Sequence, residues 1–273
     1  MLTHDCLLNF DEINDEVLDT PIYRVFALEK LLTSLNENQL FFVKPRCWDD
    51  PYEAFLLKQL IWASDGSDNY PFLDEIKETV YGQCWTFLNE SNFLWKIYAP
   101  NFDGVIAKST IRKIIKLFLD SAHGGGQFYL GKVKYMPEQK IKELYENKDT
   151  VNQLFTVDAL KIIIDSLLVK REEFRQEEEI RLIYHDPNYI IKENEIMKSG
   201  YSFDRLHLFN DLTEELVLDP RIDSIRADSI TRLIQKLGYR NPIRKSMLFE
   251  QPFLKLRIAK QNISEWNPSP ASI

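Results

Sequence analysis

The 273-residue chain is 44% hydrophobic and 12% aromatic, which is ample for a packed core, and it holds too few glycines and prolines for a disordered polymer. Its formal charge of −8, from 34 basic and 42 acidic residues, argues against a general nucleic-acid coat or a binder of anionic membranes, though not against a local basic patch. Cys6, Cys47 and Cys84 are odd in number and far apart, which excludes a disulfide framework or a zinc ribbon and reads as reduced thiols in the cytoplasm. The N-terminus lacks a basic segment followed by an apolar run, and no stretch of 18 apolar residues occurs, so neither a signal peptide nor a membrane span is expected.

Asp11 to Asp19 reads as an acidic loop or loosely docked arm. IYRVF (Ile22 to Phe26) is a short strand, and Leu28, Leu31, Leu32 and Leu35 then recur at helical spacing. Leu40 to Val43 is a second strand, followed by the turn-rich KPRCWDDPYE, with Pro51 suited to the first turn of a helix. After a polar loop at Ala63 to Tyr70, Gln83 to Phe87 returns as a strand. SNFLWKIY is a helix with Ser91 as its N-cap, and Gly104 to Ala107 is the next strand. Ser109 or Thr110 caps IRKIIKLFL; HGGGQ is a loop into the strand FYLGKVKY, and a charged helix follows Pro137.

An apolar helix from Phe155 to about Val169 leads into KREEFRQEEEIRLIY. Read with period two, that stretch places Ile180, Leu182 and Tyr184 on one strand face and Glu177, Glu179 and Arg181 on the other, with same-face neighbours about 7 Å apart. Such a charged row is either a solvated edge or the floor of a cleft. Arg205 to Phe209 and Glu214 to Leu218 are strand candidates, Asp228 to Leu237 a helix, and Ile243 to Phe249 a last strand. The irregular alternation predicts an α+β fold or a split, short-stranded mixed sheet with helices packed around it. A single domain over 1–273 is expected, with its core at about 21–250, a peripheral arm at 1–20 and a peripheral tail at 258–273.

Several signals carry no site. His123-Gly124-Gly125-Gly126 has no GxSxG elbow to serve, the four histidines lack ligand spacing, and neither a GxGxxG nor a P-loop occurs, so no metal site is expected. Arg221 to Lys245 holds seven basic residues against Asp223 and Asp228, a local charge of +5 that reads as a solvated helix face or a nucleic-acid patch. Three clusters stand out. Arg24 lies inside an apolar strand, where a guanidinium is costly unless it meets an anion. WDDPYE gathers Asp49, Asp50 and Glu53 with Trp48 and Tyr52, and Trp95 and Tyr98 share a helix face at i, i+3.

In this order, Tyr23-Arg24, the run from Cys47 to Glu53, Trp95, Tyr98, Gly104 and Val105, and Glu177-Glu178-Glu179-Ile180-Arg181 resemble a bacterial family known only as a domain of unknown function, number twenty-nine seventy-one. The resemblance covers roughly Pro21 to Phe249. Tryptophan and aspartate stand where that family shows Phe-Asn before Asp50, and Val43 and Thr86 stand where a serine is expected.

More remotely, the order resembles ADP-ribosyltransferases of the Arg-Ser-Glu kind. That resemblance implies an ADP-ribosyltransferase-like fold and an enzyme that consumes NAD as substrate without a metal. It implies Glu179 as the carboxylate beside the ribose, Glu177 as the group that orients or deprotonates the acceptor, and Arg24 on a dinucleotide phosphate. Tyr23 and Thr86 would lie in the NAD site, and Tyr98 or Trp95 would stack on nicotinamide. Asp50, Glu53 and Arg181 are structural or substrate-facing candidates, Arg181 as an ion-pair partner. The implied biology is a toxin or phage-defence effector acting on nucleic acid or protein, with a cognate antitoxin or immunity partner and no membrane. The alternatives are a non-enzymatic binding module using the basic C-terminal stretch, and a hydrolase or nuclease in which Asp49, Asp50 and Glu53, with Glu177 and Glu179, bind Mg²⁺.

Overall fold

Strands form where β-branched and aromatic residues cluster, and the turns between them fall at polar and proline-rich stretches. In the computed structural model, residues 6–58, 76, 78–119, 126–154, 156, 158–187, 200–204 and 207–252 are described. The strands are β1 (Leu7–Leu8), β2 (Pro21–Ala27), β3 (Gln39–Val43), β4 (Val80–Thr86), β5 (Gly104–Thr110) and β6 (Gln127–Lys132), then β7 (Lys134–Met136), β8 (Val169–Arg171), β9 (Glu179–His185), β10 (Gly200–Asp204), β11 (Glu215–Leu218) and β12 (Ile243–Lys245). The helices are α1 (Asp15–Leu18), α2 (Leu28–Glu37), α3 (Phe55–Lys58), α4 (Asn92–Tyr98) and α5 (Ile111–Leu119), then α6 (Glu138–Glu146), α7 (Lys148–Gln153), α8 (Ala159–Ser166), α9 (Leu208–Leu212) and α10 (Ser224–Lys236).

The fold is α+β, built on a mixed sheet in the order β1-β6-β9-β4-β2-β5-β11-β12, with β3 and β10 branching from β4. β1 with β6 and β11 with β12 are parallel, and the remaining pairs of this sheet are antiparallel. β7 and β8 make a separate parallel ribbon. The sheet is split at β4. One edge of β4 pairs with β9 along its whole length, whereas the other meets β3 only at Val43↔Gly82 and β2 only at Tyr23↔Thr86. Between those two bridges the β4 edge has no partner strand among the described residues.

Both faces of the sheet are covered. Ile22 and Phe26 of β2, Ile180, Leu182 and Tyr184 of β9, and the apolar sides of α2, α5, α9 and α10 form one core. Ile183 of β9 and Val80 of β4 pack on the opposite face against α3, α6 and α8. β9 is therefore buried on both sides, and its charged row is not a solvated edge: Arg181 is wholly inaccessible.

Local chemistry accounts for several boundaries. Ser91 Oγ accepts from Leu94 N at 3.1 Å and caps α4, while Thr110 Oγ1 accepts from Lys113 N at 3.2 Å and opens α5. Ser109 turns away to donate to the Leu212 carbonyl. Four expectations are corrected. The turn after Pro51 runs on to α3 at Phe55, because Asp50 Oδ1 takes Tyr52 N in an Asx turn that competes with a helical start. The last strand stops at Lys245, short of Phe249, where the exposed Met247, Leu248 and Phe249 face no partner strand among the described residues. Phe209 lies in α9 and not in a strand, since Leu208, Phe209 and Leu212 share a buried helical face. The N-terminal arm docks, with β1 at the sheet edge and Leu18 in the core. The polar loop at Ala63 to Tyr70, His123, Phe155 and the tail from 258 lie outside the described residues. Among the described residues, no helix is long and apolar enough to cross a membrane.

Candidate active site

The split in the sheet opens into a cavity of about 160 Å³. Tyr23, Arg24, Trp48, Thr86, Tyr98, Glu177 and Glu179, all singled out from the sequence, line it. Arg24 projects from β2 across the gap, and its Nη1 donates to the Cys84 carbonyl at 2.7 Å. That bond substitutes a side chain for the missing ladder partner of β4. Its buried Nε has no hydrogen-bond partner, and no described carboxylate pairs with it. Burial lowers the Arg24 pKa to about 10, so it stays cationic at neutral pH. A cation with an unmet donor in a cleft is suited to an anion.

Opposite it lies a buried charge cluster. Glu179, on the first residue of β9, accepts from Arg181 Nε at 3.0 Å and Nη2 at 2.8 Å, a two-pronged contact, and from Lys170 Nζ at 3.3 Å. Lys170 of β8 also reaches Glu53 at 2.7 Å and Glu177 at 2.6 Å. Arg181 Nη2 meets Glu53 at 3.1 Å, Nη1 donates to the Leu167 carbonyl at 2.6 Å, and the guanidinium sits 4.3 Å from the Trp48 ring centroid. Three carboxylates against two cations leave one negative charge when all are ionised. Burial on its own would raise the Glu179 pKa, but Arg181, Lys170 and the Cys84 thiol outweigh it and hold it at about 2. Burial pushes Glu177 the other way, above the ordinary carboxylate value, with Lys170 opposing. Two neighbouring carboxylates are thus shifted in opposite directions: Glu179 is held as an anion, while burial works against the charge on Glu177.

The expected row along one strand is corrected. Glu177 ends a 3₁₀ turn (Glu172–Glu177), and Glu178, at φ 43°, breaks the alternation before β9 begins. Lys170 restores the proximity of Glu177 to Glu179 by bridging them. Trp95 is also corrected: it is fully buried among Tyr23, Ala99, Ile106 and Val217 and does not reach the cavity. The cavity-facing pair on α4 is Leu94 and Tyr98, four residues apart and closer in azimuth than Trp95 and Tyr98. Tyr98 remains half-exposed at the mouth, its pKa raised by burial and by Glu177. Thr86 donates to the Glu177 carbonyl at 2.5 Å and accepts from Leu88 N, so its hydroxyl ties the turn before β9 to β4.

Asp50 and Glu53 lie behind the cavity wall. Asp50 pairs with Arg171 at 3.0 Å, and Glu53 is committed to Lys170 and Arg181, so their charges are met by protein cations. Asp49 is exposed. Among the described residues no group of three or more potential ligands is placed to hold a metal ion. Lys170 and Cys84 were not singled out from the sequence. Lys170 begins the same charged stretch, but it lies seven residues from Glu177, which a period-two reading puts on the opposite face; Cys84 carried no signal beyond its place in a strand.

No family model matches the chain, and no curated protein matches it, so the family resemblance stands on its short motifs alone. Solved structures of DarT from Thermus sp. 2.9 are similar to this chain. The complex with NAD+ shows 10% identity and a TM-score of 0.39, covering 84% of this chain and 96% of that one. The complex with ADP-ribosylated ssDNA shows 12% identity and a TM-score of 0.38, covering 83% and 93%. The complex with carba-NAD+ shows 11% identity and a TM-score of 0.36, covering 83% and 95%.

Proposed function

We propose that the protein transfers ADP-ribose from NAD, as substrate, to an acceptor, and that the split-sheet cavity is its active site. The observation that carries this reading is the convergence of Arg24, Tyr98 and Glu179 on one cavity from β2, α4 and β9. The cavity is smaller than the roughly 300–1,000 Å³ that takes a whole drug-sized ligand, and suits a nicotinamide ring with its glycosidic bond. The adenosine end would lie outside it.

In this reading Arg24 binds a phosphate, and Tyr98 covers the nicotinamide at the mouth. The nicotinamide–ribose bond breaks with its electron pair leaving on nicotinamide, and positive charge develops on the ribose as in glycoside cleavage. The buried cluster, with its one excess negative charge and its fixed Glu179, stabilises that charge without reorganising. An acceptor nucleophile then bonds to the ribose carbon, and Glu177, whose pKa lies nearest to neutrality of the two, takes its proton. Glu179 is too strongly held by Arg181 and Lys170 to act as a base.

Nicotinamide release from NAD, measured with and without nucleic-acid and protein acceptors, tests the assignment. Glu179→Gln is expected to lower release by about 100-fold or more. Equal release by the variant, or none from the wild type with any acceptor, would remove the reading.

A second reading has its own observation. Arg226, Arg232, Lys236 and Arg240 are exposed on or just after α10, and none is ion-paired among the described residues. Arg221 and Arg244, by contrast, are satisfied by Asp219 and by Glu90 and Glu215. A nucleic-acid contact on this face predicts retention that weakens with salt and with Arg232→Ala and Arg240→Ala, independently of Glu179. Either result is compatible with catalysis elsewhere, and a nucleic-acid acceptor would unite the two.

A further inference from the structure

A second cavity, of about 320 Å³, lies beside the start of β9, and Glu179 lines both it and the first. Its other walls include Phe10, Phe87, Ile111, Lys132, Tyr135 and Glu178. The arrangement is specific. The Lys132 ammonium, at the end of β6, stands 4.7 Å from the Phe10 ring centroid and 5.7 Å from that of Phe87. No carboxylate is paired with it among the described residues. Its backbone is fixed by Asn9, whose side-chain amide donates to the Lys132 carbonyl at 2.9 Å. The Tyr135 hydroxyl accepts from Glu179 N at 2.8 Å, which leaves its own proton free to donate. Burial raises the Tyr135 pKa to about 12, so that proton is present at neutral pH.

A cation resting on aromatic faces is stabilised by their quadrupoles, and its remaining N–H groups stay available to an anion. Beside the ammonium, Phe10, Phe87 and Ile111 give the cavity an apolar wall against which a planar base can pack. Glu178, exposed at the rim, is an acceptor suited to sugar hydroxyls. We propose that this second cavity binds a nucleoside monophosphate unit, with its base against Phe10 and Phe87 and its phosphate on Lys132 and the Tyr135 hydroxyl. The volume falls within the range of small-ligand pockets, unlike that of the first cavity. The site does not depend on NAD chemistry in the first cavity. If both exist, Glu179 is the wall between them, and a ligand in the second could be felt at the first through the Tyr135–Glu179 hydrogen bond.

Calorimetric titration with AMP, adenosine and inorganic phosphate tests this directly. AMP is expected to bind more tightly than either part alone. Lys132→Met, which keeps the stem and removes the charge, is expected to weaken AMP by about tenfold, the loss of one charge-assisted hydrogen bond. Phe87→Leu is expected to weaken adenosine and AMP alike and to leave phosphate unchanged. Arg24→Met separates the two cavities: an AMP signal lost in Arg24→Met but intact in Lys132→Met would place the ligand in the first cavity and overturn the proposal. Absence of AMP binding by the wild type would overturn it too, while leaving the nicotinamide-release test of the first cavity unaffected.

Discussion

At the scale of single residues, Lys170 and Arg181 hold three carboxylates in a site nearly closed to water. Such a cluster is not a source of large net stability, because desolvating five charges offsets most of their mutual attraction. Breaking it is a different matter. Lys170→Met strands Glu53, Glu177 and Glu179 around one remaining cation, and a loss of about 3–5 kcal/mol is expected in urea unfolding, with Lys170→Arg closer to wild type. The pH dependence has a definite sign. Glu179 falls from an ordinary value of 4.5 to about 2 on folding, so its contribution is complete above pH 4.5 and is lost as pH falls toward 2. A melting series across that window should decline less steeply for Glu179→Gln than for the wild type. Glu177, raised by burial, has the opposite slope and is the group whose titration should appear in the pH–rate profile of nicotinamide release.

Elements supply the precision that these residues need. Gly82 sits where β4 bridges β3, and a Cβ there would fall 2.7 Å from Trp48 Cζ2. Since Trp48 covers Arg181, Gly82→Ala should cost about 1–3 kcal/mol by overpacking and should depress activity beyond its effect on folding, as seen by comparing kcat with the urea midpoint. Helix α4 is only seven residues long and leans on its cap. Ser91→Ala should lower stability by about 1 kcal/mol, and because α4 presents Leu94 and Tyr98 to the cavity it should raise KM for NAD more than it lowers kcat. Gly104 serves the same helix from below, since a Cβ at that position would strike Ala99 and Trp95.

Across the whole molecule, the amino-acid sequence by itself determined the strands at Ile22 to Phe26 and Ile180 to Tyr184, the Ser91 cap and the α+β class. Each depends on interactions a few residues long, which periodicity and capping chemistry report directly. It also marked Arg24 as a charge inside an apolar strand, Tyr98 as one of two aromatics at i, i+3 on a helix, and Glu179 through the ordered motif of its charged stretch. What only the tertiary structure decided is that these residues meet. The cavity exists because β4 loses its partner strand between Gly82 and Thr86, a matter of long-range pairing with no local trace. The separation of Trp95 from Tyr98 turned on which side of α4 faces the Ile106 and Val217 core, and helical spacing leaves that orientation open. Lys170 joined Glu177 to Glu179 across a left-handed residue at Glu178 that a period-two reading passes over. Charges seven and nine residues apart became neighbours because β8 and the turn before β9 fold back on one another, and burial then made that proximity matter.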